Sequence, residues 1–399
     1  MFRALRHRNF RLFVGGQIIS LVGTWMQMVA QNWLVYRLTH SEWLLGVTGF
    51  CQYLPVFVLG PLGGLAADRY SRHRLVVLTQ ALSMLQALTL ALLTLTAQIQ
   101  VWHVLGLALV LGTINAFDMP GRQSLVIHLT GKDDLLNAIA LNSAIFNAAR
   151  VVGPAAAGLL VAGLGEGFCF LLNGLSFLAV LAGLLAMRLP PFAPPPRQSP
   201  WAHLLDGFRY AHRTRLLRVL LGLVATITVS SMPALVLMPF FADAIFRRGS
   251  QGLGFLMGAM GTGAVVGTLV LAGRPRATGL ARVIFVSALG VGLGYVLLAL
   301  SPSFYVALVA APVVGFSVMR HNTSVNTVIQ VSIPDEYRGR IMALYAMMVV
   351  GVGPFGSLAA GALAARLGAR LTVLLGGLLS LAAAAAFRLY CPRGACEAL

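Results

Sequence analysis

Twelve apolar segments, each about as long as a membrane-spanning helix, follow one another along the chain. A helix needs about 20 apolar residues to cross the hydrocarbon core of a bilayer, and windows of this length lie between charged or Gly/Pro-rich breaks. The predicted spans are 11–38, 43–66, 74–97, 102–129, 137–164, 168–187, 216–243, 250–272, 279–300, 303–331, 340–365 and 369–390. The pattern therefore predicts an all-α membrane protein with twelve transmembrane helices.

Composition agrees with this pattern, and the positions of the basic residues predict the orientation of the chain. Hydrophobic residues make up 58% of the chain and charged residues 10%, which excludes an ordinary water-soluble protein. If the amino terminus lies inside, most of the 29 Lys and Arg residues fall in inner segments. The basic residues assigned to outer loops are Arg37, Arg247, Arg248, Arg366 and Arg370. The positive-inside rule then predicts that both termini are cytoplasmic, and the net charge of +18 reports topology rather than a nucleic-acid partner.

A proline-rich segment divides the spans into two sets of six. The stretch "RLPPFAPPPRQSP" cannot continue a helix, and the residues after it are typical of an amphipathic surface helix. We expect one bundle over 1–190, a cytoplasmic linker over 191–215, and a second bundle over 216–399. Two such halves are the layout of an alternating-access transporter, with its substrate site between the halves near mid-membrane.

The two halves also repeat in sequence. "VVGPAAAG" at 151–158 and "GVGPFGSLAAG" at 351–361 place two Gly-Pro pairs 200 residues apart, each in the fifth span of its half. Proline removes a backbone donor and bends a helix, so kinks are predicted at Gly153, Pro154, Gly353 and Pro354.

Several motifs resemble one transporter superfamily over essentially the whole chain. "GGLAADRYSRHRL" is similar to the signature loop of the major facilitator superfamily, with departures at Ser71 and His73. "DMPGRQSL", "NAARVVGPAAAG" and "IPDEYRGRIMALY" resemble the branch of drug:proton antiporters, macrolide-efflux proteins and enterobactin exporters. The signature positions that match are Gly64, Asp68, Arg69, Arg72 and Arg74. The resemblance implies two pseudo-symmetric six-helix bundles, an efflux function and a location in the bacterial inner membrane.

The resemblance also implies a role for the signature loop. In the family, the aspartate joins the two halves on the inner face in the outward-open state, and the arginines pair with nearby acids or carbonyls. Asp68 would then lie near the amino-terminal end of the eleventh span, where the helix dipole favours an anion. The alternative is that these charges only fix the topology.

The tenth span contains an arginine, Arg320, whose charge needs a partner inside the membrane. Arg320 follows Ser303 by 17 residues, or about 25 Å of helix, and an isolated charge deep in a span costs roughly 2.5–3.5 kcal/mol. Aligning "IHLTGKDD" with "IQVSIPDE" carries Asp118 onto Arg320. One hypothesis is that Asp118 and Arg320, together with Arg122, form a charge network between the halves that closes the inner side and weakens when Asp118 is protonated. The alternative is that each charge is satisfied within its own half or by cavity water.

Proton coupling and substrate class follow from an inventory of polar residues in the spans. Asp118 is the acid placed well inside a span, so coupling to protons is assigned to it by elimination. Arginines and amides suit neutral or anionic amphiphiles such as macrolides, siderophores or drugs better than lipophilic cations. For Arg150, a structural role in bonding neighbouring helices is an equal alternative. The candidate cavity residues are Gln27, Gln31, Asn32, Asn115, Arg150, Asn322 and Asn326.

Other chemistries lack their motifs. The sequence contains no metal-ligand spacing, phosphate loop or nucleophile elbow, so we expect no metal, no cofactor and no enzymatic activity. The glycine spacings Gly254/Gly258 and Gly263/Gly267 are interpreted as helix-packing signals. The expected protein is a monomeric, proton-coupled exporter. An importer or uniporter of a small metabolite and a non-transporting sensor are the alternatives.

Overall fold

A computed structural model describes residues 3–130, 134–189, 208–273 and 279–391. Twelve of its helical segments are long and apolar enough to cross a membrane, which confirms the predicted spans and fold class. The helices are α1 (Arg8–Thr39), α2 (Glu42–Arg69), α3 (Arg72–Leu95), α4 (Val101–Thr130), α5 (Leu135–Leu164), α6 (Glu166–Leu185), α7 (Arg215–Phe240), α8 (Gly249–Ala272), α9 (Leu280–Leu300), α10 (Phe304–Ser332), α11a (Asp335–Ala346), α11b (Gly353–Leu367) and α12 (Ala369–Tyr390).

Two of the spans contain a π-helical turn. The turn Phe241–Ile245 extends α7, and the turn Met347–Gly351 separates α11a from α11b. Pro354 lies in the first turn of α11b, where its missing N–H leaves no hydrogen bond unmade. By contrast, α5 runs through Pro154 as one helix.

The described chain forms two compact units. Unit 1 comprises Met1–His40, Cys51–Gln198 and Gly249–Gly258, and unit 2 comprises Ser41–Phe50, Ser199–Arg248 and Ala259–Leu399. These bounds differ from the predicted halves at the starts of α2 and α8. Most of the predicted linker lies outside the described residues, although residues 208–213 are helical.

The same helix pairings occur in both units. In unit 1, α6 packs against α1 and α3, α1 against α5, and α3 against α4. In unit 2, α12 packs against α7 and α9, α7 against α11b, and α9 against α10. The fifth and sixth spans of each half are also joined by a single glycine, Gly165 (φ 87°) and Gly368 (φ 82°), in a region of φ that side chains strongly disfavour. The two halves that repeat in sequence thus share the same helix pairings and the same glycine turn between their fifth and sixth spans.

Glycines bring the second and fourth spans of each half into close contact. A Cβ atom on Gly63 of α2 would lie 1.9 Å from the carbonyl oxygen of Ala116 in α4. A Cβ atom on Gly263 of α8 would lie 1.9 Å from the carbonyl oxygen of Pro312 in α10, and one on Gly267 would lie 2.6 Å from that of Phe316. The interpretation of Gly263 and Gly267 as packing residues is confirmed, because only glycine permits these crossings.

An ion pair joins the carboxyl-terminal end of α1 to the amino-terminal end of α6. Arg37 Nε and Nη2 donate to the two carboxylate oxygens of Glu166, at 2.7 and 3.2 Å. The Glu166 side chain is 7% exposed and that of Arg37 50% exposed. The sequence predicts an outer-loop position for Arg37 and does not identify Glu166 as its partner.

We expect Gly63→Ala to destabilise the protein and Gly60→Ala, one helical turn away, to leave it intact. The added methyl at residue 63 meets a backbone carbonyl and requires helix movement, at a free-energy cost of about 1–3 kcal/mol, whereas nothing lies within 4 Å of a Cβ at residue 60. Thermal unfolding of the purified variants in detergent measures this difference. Equal melting temperatures would contradict the tight α2–α4 crossing.

Arg37→Gln is expected to lower the free energy of unfolding by about 1–2 kcal/mol, because it leaves the Glu166 carboxylate buried without its cation while Arg37 itself is partly screened by solvent. The double variant Arg37→Gln, Glu166→Gln should recover part of this loss, since no unpaired charge remains. A double-mutant cycle on thermal stability tests the pair, and strictly additive effects would show that it contributes nothing.

Candidate functional site

The centre of the candidate site is the Asp118 carboxylate on α4, whose side chain is 2% exposed. Its Oδ1 accepts hydrogen bonds from Thr79 Oγ1 at 2.7 Å and from Gln80 Nε2 at 2.8 Å, both on α3. Its Oδ2 lies 2.7 Å from Arg122 Nη2, one turn along α4. A buried carboxylate is stable only when its charge is paired and its oxygens are hydrogen-bonded, and both conditions are met here within unit 1.

Arg122 extends this network to α1. Its Nη1 donates to Gln17 Oε1 at 3.2 Å, and the Arg122 side chain is 27% exposed. Gln17 is buried, and within the described part of the chain its Nε2 has no hydrogen-bond partner. Three helices of one unit therefore meet at a single ion pair. We call Gln17, Thr79, Gln80, Asp118 and Arg122 the Asp118 network.

The α3 members of this network are not among the predicted site residues, although the sequence contains a signal for them. The buried polar residues of α3 follow one another at helical spacing and form a stripe along an otherwise apolar span. Such a stripe predicts a face turned toward a polar partner inside the bundle, because lipid offers no hydrogen bonds. The stripe consists of Thr79, Gln80, Ser83 and Gln86.

The observed contacts of Asp118 correspond to the alternative in which its charge is satisfied within its own half. Arg320 lies on α10 in unit 2, where it is half-buried and its guanidinium carbon is 5.0 Å from the centre of the Phe316 ring. Asp118 and Arg320 belong to different units. Their direct pairing remains a prediction.

The polar stretch around Arg320 belongs to a helix and not to a loop, because α10 continues to Ser332. Its polar side chains point in different directions. His321 and Ser324 are fully buried, Asn322 and Asn326 are half-buried, and Gln330 is exposed. The carbonyl of Asn322 accepts a hydrogen bond from the Tyr345 hydroxyl at 2.7 Å, and Asn326 Oδ1 accepts one from Gln330 Nε2.

One predicted cavity residue, Gln27, makes hydrogen bonds to two neighbouring helices. Its Nε2 donates to Gln86 Oε1 on α3 at 3.0 Å, and its Oε1 accepts from Asn173 Nδ2 on α6 at 2.7 Å. All three amides are buried. Both ends of the Gln27 side chain thus bind neighbouring helices within unit 1, and its role as a substrate ligand stays a prediction.

The other amide candidates of unit 1 keep unused hydrogen-bonding capacity. Gln31 is 2% exposed, and its Nε2 makes no hydrogen bond to any described residue. Asn32 and Asn115 are half-buried. These three side chains remain candidates, and their role as cavity ligands stays a prediction.

Arg150 of α5 lies in an aromatic cluster. Its guanidinium carbon is 5.5 Å from the centre of the Trp25 ring on α1, and Trp25 in turn contacts Phe146 edge-on with ring centres 5.7 Å apart. The backbone of Gly153 makes room for Trp25, since a Cβ there would lie 2.5 Å from the Cβ of Trp25. Arg150 and Trp25 are both half-buried, so part of the surface of this cluster is not covered by other residues of the protein.

The signature loop lies at the α2–α3 turn. Asp68, Arg69 and Arg74 are exposed, and within the described ranges no ion pair involves Asp68. Arg72 is half-buried at the first position of α3, and a Cβ on Gly64 would meet open space. The proposed role of Asp68 in joining the halves stays a prediction. No group of three or more His, Cys, Asp or Glu side chains that could hold a metal occurs among the described residues.

Comparison with known proteins gives the family. The profile described as transmembrane secretion effector, a branch of the major facilitator superfamily, matches residues 1–398. The staphyloferrin A transporter of Staphylococcus aureus is 25% identical over 87% of each chain. The multidrug efflux pump Tap of Mycolicibacterium fortuitum is 26% identical over 88% of each chain. The enterobactin exporter EntS of Shigella boydii is 26% identical over 90% of this chain and 86% of its own.

Solved structures with the same fold belong to transporters. The superposition on the nucleoside transporter NupG covers 98% of this chain and 99% of NupG, with a TM-score of 0.75 and 15% sequence identity. A bacterial homologue of the lysosomal transporter Spinster gives a TM-score of 0.74 at 14% identity, with 96% of this chain and 97% of its own covered. At such identities the likeness shows the fold alone. From the family profile, we conclude that this chain belongs to the transmembrane secretion effector family of the major facilitator superfamily and is a multi-pass membrane transport protein, not an enzyme.

Proposed function

We propose that this chain is a proton-coupled exporter of amphiphilic small molecules of the drug, macrolide or siderophore type, acting by alternating access. The observation that carries the proposal is the Asp118 network. Its carboxylate is 2% exposed, binds α3 directly, and is linked to α1 through Arg122 on its own helix, α4. An ionisable group at this depth in a membrane bundle is costly to keep and is typical of proton pathways.

Proton binding at Asp118 would change the contacts of Arg122. The ionised carboxylate accepts from Thr79, Gln80 and Arg122, and protonation removes the negative charge that holds the guanidinium. Arg122 would then be free to reorient, and its hydrogen bond to Gln17 links that movement to α1. In this proposal, the proton and the substrate compete for states of the bundle that differ in the position of α1 relative to α4.

The sequence repeat suggests how the two halves of the chain would move. Two six-helix halves, 1–190 and 216–399, move about a cytoplasmic linker at 191–215 in a monomer of the bacterial inner membrane, with both termini in the cytoplasm. The basic inner segments support this orientation. Asp68 and its neighbouring arginines would hold the inner face in one of the two states, and the Asp118–Arg320 pairing would add to this closure.

The substrate class is supported by the relatives and by Arg150. Relatives named for staphyloferrin A, for multidrug efflux and for enterobactin all match over more than four-fifths of this chain. Arg150, half-buried above Trp25, offers a cation and an aromatic face together, which suits ligands with oxygen acceptors and planar groups.

Asp118→Asn is expected to abolish substrate uptake driven by an imposed pH gradient in inverted vesicles. Asparagine cannot exchange a proton, whereas its remaining oxygen can still accept from Thr79 and Gln80, so folded protein should persist in the membrane. Uptake in inverted and right-side-out vesicles, normalised to the amount of folded protein, measures both coupling and direction. Asp243→Asn, the same change at the outer end of the seventh span, is the control.

Undiminished pH-driven uptake by the Asp118→Asn variant would remove Asp118 from coupling. Uptake restricted to right-side-out vesicles would instead favour import. A complete absence of transport by the unsubstituted protein, across siderophore, macrolide and cationic dye probes, would contradict the exporter assignment itself.

Arg150→Gln should reduce transport of enterobactin or staphyloferrin A by about 10- to 100-fold, since a charge-assisted hydrogen bond is worth roughly 1.5–3 kcal/mol. Transport of ethidium, a permanent cation, should be unchanged or faster, because a repulsive charge has been removed. The ratio of the two rates is the measurement, with Arg188→Gln as the control. Equal loss for both probes would indicate that Arg150 has a structural role.

A further inference from the structure

A groove on the surface of unit 2 lies outside the Asp118 network and the Arg150 cluster. It has a volume of about 370 Å³ and is formed between α7 and α12. On α7, its residues recur every three or four positions, so that they share one face of the helix. Facing residues on α12 follow the same spacing. The groove therefore runs along two antiparallel helices instead of crossing them.

The two ends of this groove differ in chemistry. Arg215 and Arg218 lie at one end, and both are exposed. Phe387 and Tyr390 of α12 lie nearby, and the remaining described lining is apolar apart from Thr226, whose hydroxyl donates to the carbonyl of Gly222 at 2.9 Å. No acidic residue belongs to the described lining or to the first turn of α7. Among the described residues, the basic end of the groove therefore has no acidic side chain in its lining.

The length of the groove matches one leaflet of a bilayer. Arg215 and Thr226 are eleven positions apart on α7, or about 16 Å at 1.5 Å per residue, which is close to half of a hydrocarbon core of about 30 Å. Gly222 opens the floor of the groove between them, because a Cβ at this position would meet nothing within 4 Å. An extended apolar chain could therefore lie along α7 directly below the two arginines.

We propose that this groove binds one anionic phospholipid of the inner leaflet. The phosphate lies between the guanidinium groups of Arg215 and Arg218, which suit phosphate oxygens in geometry and charge. An acyl chain lies along Gly222 toward Thr226, and Tyr390 lies at the headgroup level, as is typical of interfacial tyrosines. The assignment to the inner leaflet rests on the proposed orientation, in which α7 begins at the cytoplasmic side.

The test is a lipid titration of the purified full-length chain in detergent, with native mass spectrometry as the readout. Dioleoylphosphatidylglycerol should bind with one high-affinity site, and dioleoylphosphatidylcholine should bind more weakly. Glycerol 3-phosphate should not compete, because it carries the phosphate without the chains. The double variant Arg215→Gln, Arg218→Gln should weaken phosphatidylglycerol binding by about 25-fold, or about fivefold for each arginine lost.

Two further variants separate this site from general attraction of anionic lipid. Arg282→Gln removes an exposed arginine near the start of α9, also in unit 2 but outside the groove, and should leave binding unchanged. Gly222→Leu places a side chain on the floor of the groove, where a Cβ meets nothing within 4 Å, and should weaken binding while both arginines remain. All variants are first shown to be monodisperse.

Equal affinity for phosphatidylcholine would overturn the proposal, as would wild-type binding by the double arginine variant, unchanged binding by Gly222→Leu, or an equal loss in Arg282→Gln. Competition by glycerol 3-phosphate would identify a phosphate site and contradict a lipid site. Because no substrate or pH gradient enters the measurement, its outcome is independent of whether the exporter assignment holds.

Discussion

The pairing of Asp118 with Arg122 is the interaction on which the functional interpretation depends. A carboxylate that is 2% exposed inside a membrane bundle needs both an opposite charge and hydrogen-bond donors, and the fold supplies the donors from α3 and the charge from α4. Arg122 in turn donates a hydrogen bond to Gln17 on α1. A change in the charge of the Asp118 carboxylate can therefore alter contacts among α1, α3 and α4 at once. Proton coupling requires such a link between charge and helix contacts.

Close helix packing makes this arrangement possible. Lipid gives helices no hydrophobic reason to associate, so association depends on van der Waals contact and on interhelical hydrogen bonds. Glycines such as Gly63 and Gly263 allow backbones to approach, and amides such as Gln27, Gln86 and Asn173 join α1, α3 and α6. The equivalent helices of unit 2 pack in the same pairs as those of unit 1.

Arginines serve at least three different purposes in this chain. Arg122 neutralises a buried acid, Arg37 joins the end of α1 to the start of α6, and Arg150 lies over an aromatic ring. Their surroundings, and not their residue type, set these roles. Arg215 and Arg218 differ again, because they lie at the exposed end of an apolar groove, where the chemistry of the bilayer itself supplies a partner.

Sequence by itself determined the twelve spans, the family and the repeat, because hydrocarbon thickness fixes the length of each apolar segment and local motifs carry the family. It also identified Asp118, Arg122 and Arg150 as unusual. Only the tertiary structure decided that Asp118 binds Thr79 and Gln80, and that Gln27 binds side chains on α3 and α6. The reason is geometric: a helix presents several faces, and which face meets which neighbour depends on packing between residues far apart in the chain.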